Sequence, residues 1–200
     1  MKVIGLCGGS GSGKGAVCEL FSEMDVSSID TDRVYHRLTS SPSPCLEELA
    51  LVFGKSIIDE RGALDRRVLR GLVFGSCDAD ERRRKLNEIT HKHILGEARR
   101  IISEKRDEGA KAIIVDAPLL FESGFDKECD VTVCVIADKD IRIKRIMARD
   151  GISAEDAKRR IDGQIPNDEL VRRVDYVIEN NGDLDILRDE VKRVYKKILI

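Results

Sequence analysis

Apolar residues gather in five short runs along the 200-residue chain, at positions 3–7, 26–29, 112–115, 131–136 and 176–178. Each run is near-continuous rather than alternating, the pattern of a strand covered on both faces and therefore of a parallel sheet. Between the runs, apolar positions recur at helical spacing. Val17, Leu20, Phe21 and Met24 do so after the first run, and Ile141, Ile143, Ile146 and Met147 less regularly after the fourth. Strand and helix alternate, so the predicted class is α/β with a doubly wound core.

One gap does not fit a simple alternation. About eighty residues separate the second run from the third, too many for a single crossover helix. The gap opens on the turn-rich Ser40-Ser41-Pro42-Ser43-Pro44. Helical patterns at about 46–53, 66–74 and 81–108, broken by turn signals at Gly54, Asp59 to Gly62 and Ser76 to Asp80, predict an inserted helical lobe. A second segment, about 149–173, is dense in charge and has no strand pattern; a mobile lid is expected there. The domain plan is one domain, with a core at about 1–35, 110–148 and 174–200, an insertion at about 36–109 and the lid at about 149–173. No internal repeat or low-complexity tract interrupts it.

The most specific chemical signal lies between the first run and the first helical pattern. Residues 8–14 read G-G-S-G-S-G-K, and a strand, a G-x-x-x-x-G-K loop and a helix in that order are what a phosphate-binding P-loop requires. The glycines let successive N–H groups turn inward around phosphate oxygens. Lys14 adds a point charge for the β and γ oxygens, and the helix contributes its positive N-terminal end. The residue after the lysine is ordinarily Ser or Thr, whose hydroxyl ligates Mg2+; here it is Gly15. Water is expected to fill that coordination position, which Mg2+ tolerates; impaired turnover is the alternative.

Composition narrows the partners. Lys and Arg number 35 against 37 Asp and Glu, a formal charge of −2, so the global balance gives no sign of nucleic acid or a membrane surface. The short apolar stretch before the glycines is too brief for a signal peptide and no later run approaches a membrane span, so a cytoplasmic location is expected. Cys7, Cys18, Cys45, Cys77, Cys129 and Cys134 form no C-x-x-C pair and are expected to be buried free thiols. His91 and His93 would diverge on a helix, and with His36 they give no zinc pattern.

Carboxylates and arginines supply the remaining candidates. Ile29-Asp30-Thr31-Asp32 places two carboxylates at the C-terminal end of a strand, where open α/β sheets bind ligands. If the chain stays extended, both face one cleft, and one can orient an acceptor hydroxyl and take its proton. A turn or helix-cap aspartate is the competing account. The third run ends on Asp116, the position of a carboxylate that holds a Mg2+-bound water or orders the loop lysine. Arg142, Arg145 and Arg149 share one helix face. A solvated, salt-bridged face explains such a stripe, but arginines also stabilise the charge spread over a transferring phosphoryl group. Arg149 is favoured for that task or for clamping the nucleotide, with Arg145 open. Ala137-Asp138-Lys139-Asp140 has the wrong spacing for a guanine motif, which argues against a GTPase switch.

These residues assemble a wider pattern. The GGSGSGK loop, the D-T-D after the second strand, Leu64-Asp65-Arg66 with Leu69-Arg70 and Val73-Phe74, Pro118 to Glu122, Gln164, and Asp175 to Ile178 with Asn180-Asn181-Gly182 together resemble the dephospho-CoA kinase family over nearly the whole chain. The resemblance implies a P-loop NTPase core with a five-stranded parallel sheet of the nucleoside monophosphate kinase type. It implies ATP-dependent phosphorylation of the ribose 3′-hydroxyl of dephospho-CoA, with Mg2+ accompanying ATP as co-substrate. Carried over by motif, Gly11, Ser12, Gly13, Lys14, Gly15 and Ala16 hold ATP and Asp32 is the base. His36, Arg66 and Arg70 in the insertion receive dephospho-CoA, with Asp116 and Leu120 also on the substrate side, and Arg145 and Arg149 are nucleotide-side lid residues. No direct protein ligand to Mg2+ is expected; the ion is held through ATP phosphates and water, with Asp116 behind the water. Two positions depart from the family: Gly15 lacks the hydroxyl, and His91-Lys92 stands where His-Pro is usual, which bears on a local helix start. The alternatives are another small-metabolite or nucleoside kinase with the same core, or a nucleotide-binding module with impaired turnover.

Overall fold

A strand apolar on both faces leaves water only inside a sheet that helices cover on each side. In the computed structural model, which describes residues 1–75 and 78–199, the five runs become β1 (Lys2–Cys7), β2 (Ser27–Asp30), β3 (Ala112–Asp116), β4 (Val131–Ile136) and β5 (Tyr176–Glu179). They form one five-stranded parallel sheet in the order β2-β3-β1-β4-β5, as the pattern predicts. The α-helices are α1 (Lys14–Ser22), α2 (Thr31–Thr39), α3 (Pro44–Phe53), α4 (Arg66–Phe74), α5 (Ala79–Asp107), α6 (Lys139–Asp150), α7 (Ala154–Asp162), α8 (Asn167–Val171) and α9 (Leu184–Leu199). The middle strand is β1, with Leu6 in register with Asp116 of β3 and Cys7 in register with Cys134 of β4. The loop leaving β1 therefore emerges between the ends of β3 and β4, where the strand order reverses.

Contacts divide the chain into two compact units, Met1–Ile29 with Ile102–Ile200, and Asp30–Ile101. In the first, Ile4, Leu6, Ile114, Val133 and Val135 of the sheet pack with Val17 and Phe21 of α1 and Val191 and Val194 of α9. The pattern predicts a first helix reaching Met24, but α1 ends at Ser22. Asp25 at φ 61° turns the chain, and Met24 still packs on the core from that turn. Within the segment expected to be a lid, Ala157 and Ile161 of α7 pack on Ile146 of α6, and the Ser153 hydroxyl caps α7 at Asp156 N–H. Ordered helices with an apolar contact fill this stretch.

The second unit is helical. Ser43 caps α3 ahead of Pro44 at its first turn, and Asp65 Oδ1 accepts from Arg67 and Val68 N–H to start α4. Leu46, Leu49, Phe53, Leu69, Val73 and Ile89 close its core. One expectation is corrected here. The chain does not stay extended through residues 29–32, because Asp30 is the N-cap of α2, its Oδ1 accepting from Arg33 N–H at 2.9 Å, and Thr31 is already helical. Asp30 is itself extended as the last residue of β2, but from Thr31 the chain follows the helical period, so the two carboxylates do not alternate on one cleft face. The His91-Lys92 departure leaves α5 unbroken: Lys92 keeps the N–H that proline would remove, and Glu48 bonds both Lys92 and His93.

Cys7, Cys45 and Cys134 are buried free thiols, Cys129 is half-buried and also free, and Cys18 is half-buried. Cys77 lies outside the described residues, as does Ser76 of the expected turn. No described helix is long and apolar enough to cross a membrane.

Candidate active site

The loop leaving β1 is built from glycine because no other residue fits it. Gly13 is left-handed at φ 97° immediately before α1, and a Cβ on Gly8, at φ 146°, would stand 2.4 Å from the Val135 carbonyl oxygen. The loop passes directly into α1, whose first N–H groups have no partner within the helix. Among the described residues, the N–H groups of Gly11, Gly13, Lys14, Gly15 and Ala16 meet no backbone acceptor. Five amides around a helix N-terminus are thus left without a backbone acceptor, an arrangement suited to phosphate oxygens. Lys14 arches back over the loop, its Nζ donating to the Gly8 carbonyl at 3.1 Å and standing 3.8 Å from Asp116 Oδ1. Gly15 is exposed, with nothing within 4 Å of where its Cβ would be.

The arginine stripe on α6 separates into three environments. Arg142 is only 4% exposed and donates to Ser10 O, Gln164 Oε1 and Asn167 Oδ1 at 2.9, 2.7 and 3.3 Å. Burial pulls its pKa down from the usual arginine value. Arg145 reaches Gly11 O and Ser12 O, both at 3.4 Å, and Asn180 Oδ1 at 3.2 Å. Arg149, two turns beyond Arg142, faces elsewhere: its side chain is 61% exposed and makes a two-point bond to Asp150. That bond raises the Arg149 pKa; Arg149 and then Arg160 hold the Asp150 carboxyl down at about 2.

Asparagines and a glutamine complete the loop's surroundings. Asn180, 5% exposed at the end of β5, donates to Ser12 O at 2.8 Å, and Asn181 exchanges bonds with Asp138. Gln164 accepts from Ser10 N–H at 3.0 Å and donates to Ser10 Oγ at 3.1 Å. Residue chemistry alone does not single out Asn167 or Arg142. Asn180 carries a readable signal, since it follows an apolar strand at the end of the sheet where ligands bind.

In the Asp30–Ile101 unit, Asp32 is exposed in the first turn of α2, and His36 lies four residues on along the same face, its Nδ1 2.8 Å from Ser40 Oγ. The Arg66 guanidinium covers the Tyr35 ring at 5.7 Å, and exposed Arg70 follows one turn later on α4. Burial raises the Tyr35 pKa. Lys14, the Gly11 to Ala16 loop, Asp116 and Arg145 are thus gathered in one unit, and Asp32, His36, Arg66 and Arg70 belong to the other. Leu120 is fully buried with its Cδ atoms against Gly5, so it offers a substrate no surface.

A glycine loop and lysine on the middle strand of a parallel sheet are the architecture of the P-loop kinases, and the fold is of that class. Comparison with known proteins narrows it. A family model described as dephospho-CoA kinase matches residues 2–185, so the chain belongs to the dephospho-CoA kinase family. A dephospho-CoA kinase from Corynebacterium glutamicum is 38% identical over 199 residues, covering 100% of this chain and 98% of that protein. Among solved structures, one from Thermus thermophilus is similar with a TM-score of 0.79 at 32% identity, over 98% of this chain and 97% of its own. The dephospho-CoA kinase from Campylobacter jejuni gives 0.72 at 26% identity, over 98% and 96%.

Proposed function

We propose that the chain transfers the γ-phosphoryl group of ATP to the ribose 3′-hydroxyl of dephospho-CoA, giving CoA, the last step of CoA synthesis. The observation that carries this is the row of loop amides at the start of α1, with Lys14 beside them, in a chain that matches the family over residues 2–185. The amides of Gly11 and Gly13 to Ala16 hold the triphosphate, Lys14 faces its β and γ oxygens, and Arg145 lies on the nucleotide side. Asp32 orients the 3′-hydroxyl and accepts its proton, while His36, Arg66 and Arg70 receive the acceptor. Arg149 stabilises the transferring group after leaving Asp150; an exposed pair of this kind is weak and opens readily. Leu120 acts by packing rather than by contact.

Mg2+ fits these residues through oxygen chemistry. Asp116 ends β3 beside Lys14, a carboxylate placed to face an ion that substrate phosphates and water would hold. Asp116 would hold it through a water, and the ion would supply charge neutralisation for the phosphates. The stretch from Gly151 to Arg173 acts as the lid, and the cytoplasm is the proposed location.

The test supplies ATP and Mg2+ with dephospho-CoA, with nucleosides or with shikimate, and follows ADP together with the phosphorus NMR spectrum of the product. Stoichiometric ADP and a new ribose 3′-phosphate only with dephospho-CoA are expected. ADP formed with another acceptor, or nucleotide binding with no phosphorylated product, overturns the proposal.

A further inference from the structure

Arg142 stands apart from the other arginines of α6 because it is buried and every acceptor it meets is neutral. Its three hydrogen bonds go to the Ser10 carbonyl, the Gln164 amide oxygen and the Asn167 amide oxygen. The titratable neighbour whose field reaches it is the Cys134 thiol, itself hydrogen-bonded to Cys7. A buried charge is ordinarily paired, since taking an ion out of water without a counter-charge is costly. Arginine does not escape by losing its proton. Its counter-charge therefore comes from outside the chain.

The position of the guanidinium indicates where that charge sits. A Cβ on Gly9 would lie 2.2 Å from Arg142 Nη2, and one on Gly11 would lie 2.7 Å from the Arg142 carbonyl oxygen. The α6 backbone at Arg142 is thus a seat for the loop, and the side chain lies along its rim. Nε draws on the Ser10 carbonyl, while Gln164, bonded to the same guanidinium, takes the Ser10 N–H and hydroxyl. Ser10 is fixed on all three of its polar groups. The amides of Gly11 and of Gly13 to Ala16, which follow it, are those left for phosphate.

We infer that Arg142 is a positioning residue for the nucleotide: a buried cation on the rim of the P-loop that fixes Ser10 and serves as counter-charge to the phosphate chain. This rests on the nucleotide reading above. Because the interaction is with phosphate charge, it strengthens with each phosphate and leaves the nucleoside untouched. A residue needed only to keep the loop folded would affect adenosine, AMP, ADP and ATP alike.

Calorimetric titration of these four ligands into the wild-type protein, Arg142→Gln and Arg142→Lys separates the possibilities. The wild-type protein binds progressively tighter from adenosine to ATP. Arg142→Gln keeps its adenosine affinity, loses about 10- to 30-fold for ATP, the size of a lost charged hydrogen bond, and shows a raised KM for ATP with kcat within about threefold. Arg142→Lys, which keeps the charge but not the fork, preserves most of the gradient and guards against a Gln variant that does not fold. An equal loss for all four ligands in Arg142→Gln, an unaltered ATP affinity, or a folded Arg142→Lys with no gradient overturns the inference. A wild-type protein that does not discriminate ATP from adenosine instead defeats the nucleotide reading itself.

Discussion

Asp32 and Gly15 are the two residues at which the proposed chemistry can be put to the sharpest test. General-base catalysis contributes about 10²- to 10⁴-fold, so Asp32→Asn is expected to lower kcat by that order while the KM for ATP stays near its parental value. Steady-state kinetics with both substrates varied checks this, and an unaltered kcat removes Asp32 from the mechanism. Gly15 has open space around its Cβ position and an exposed helical site, so Gly15→Ser should fold normally. Its hydroxyl should lower the Mg2+ concentration needed for half-maximal activity by about threefold if water otherwise fills that coordination position. Titrating Mg2+ at fixed ATP measures it, and a Mg2+ dependence and turnover that both stay put argue against a functional gap at Gly15. Lys14 and its glycines were legible in the sequence because their spacing alone dictates a backbone shape. Arg142 was not, because the stripe it belongs to has three members on one helix face, and only the tertiary setting shows which of them is buried.

At the scale of elements, α2 shows how neighbouring aspartates come to do different work. Asp30 caps the helix and Asp32 rides on its first turn, a division hidden in D-T-D until it is known where the helix starts. Asp30→Ala should therefore cost about 1 kcal/mol as a lost N-cap, seen as a melting temperature about 2–4 °C lower, with kcat within about twofold of the parent. A collapse of kcat as large as that expected for Asp32→Asn would return Asp30 to the candidates for the base. The junction of α6 and α7 makes a pH-dependent prediction. Asp150 meets Arg149 and Arg160, which hold its carboxyl down at about 2, below the usual carboxylate range. A carboxyl whose pKa is depressed on folding contributes stability that is complete above its unfolded pKa and lost as pH falls through the folded one. Asp150→Asn should thus melt below the parent at pH 7, with the difference closing between about pH 4 and pH 2. A difference that persists at pH 2 would show that shape rather than charge holds the junction.

Taken as a whole, the molecule was legible wherever burial alone dictates structure. The runs that become β1, β3 and β4 are apolar and buried along nearly their whole length, which requires a covered parallel sheet. What stayed hidden were the polar bonds that bring distant segments onto the loop: Ser12 and Asn180 are 168 positions apart, and Ser10 and Gln164 are 154 apart. Local patterns carry no information about such pairs, because strand order has to be known before they meet. The same bonds bear on how the enzyme avoids wasting ATP. Gln164 and Asn167 tie the stretch from Gly151 to Arg173 to Arg142, and through it to the loop. Water has to be kept from the γ-phosphate until the acceptor is in place, so this stretch is expected to tighten when both substrates are bound. Lys158, Arg159, Arg160, Arg172 and Arg173 are exposed within it and offer trypsin a direct report. Cleavage after these residues should slow by about tenfold or more with dephospho-CoA and a non-hydrolysable ATP analogue together, and much less with either alone, as a ligand that favours the closed state depletes the cleavable one. Equal cleavage rates with and without both ligands would mean that the stretch does not close, and that water is excluded by some other part of the chain.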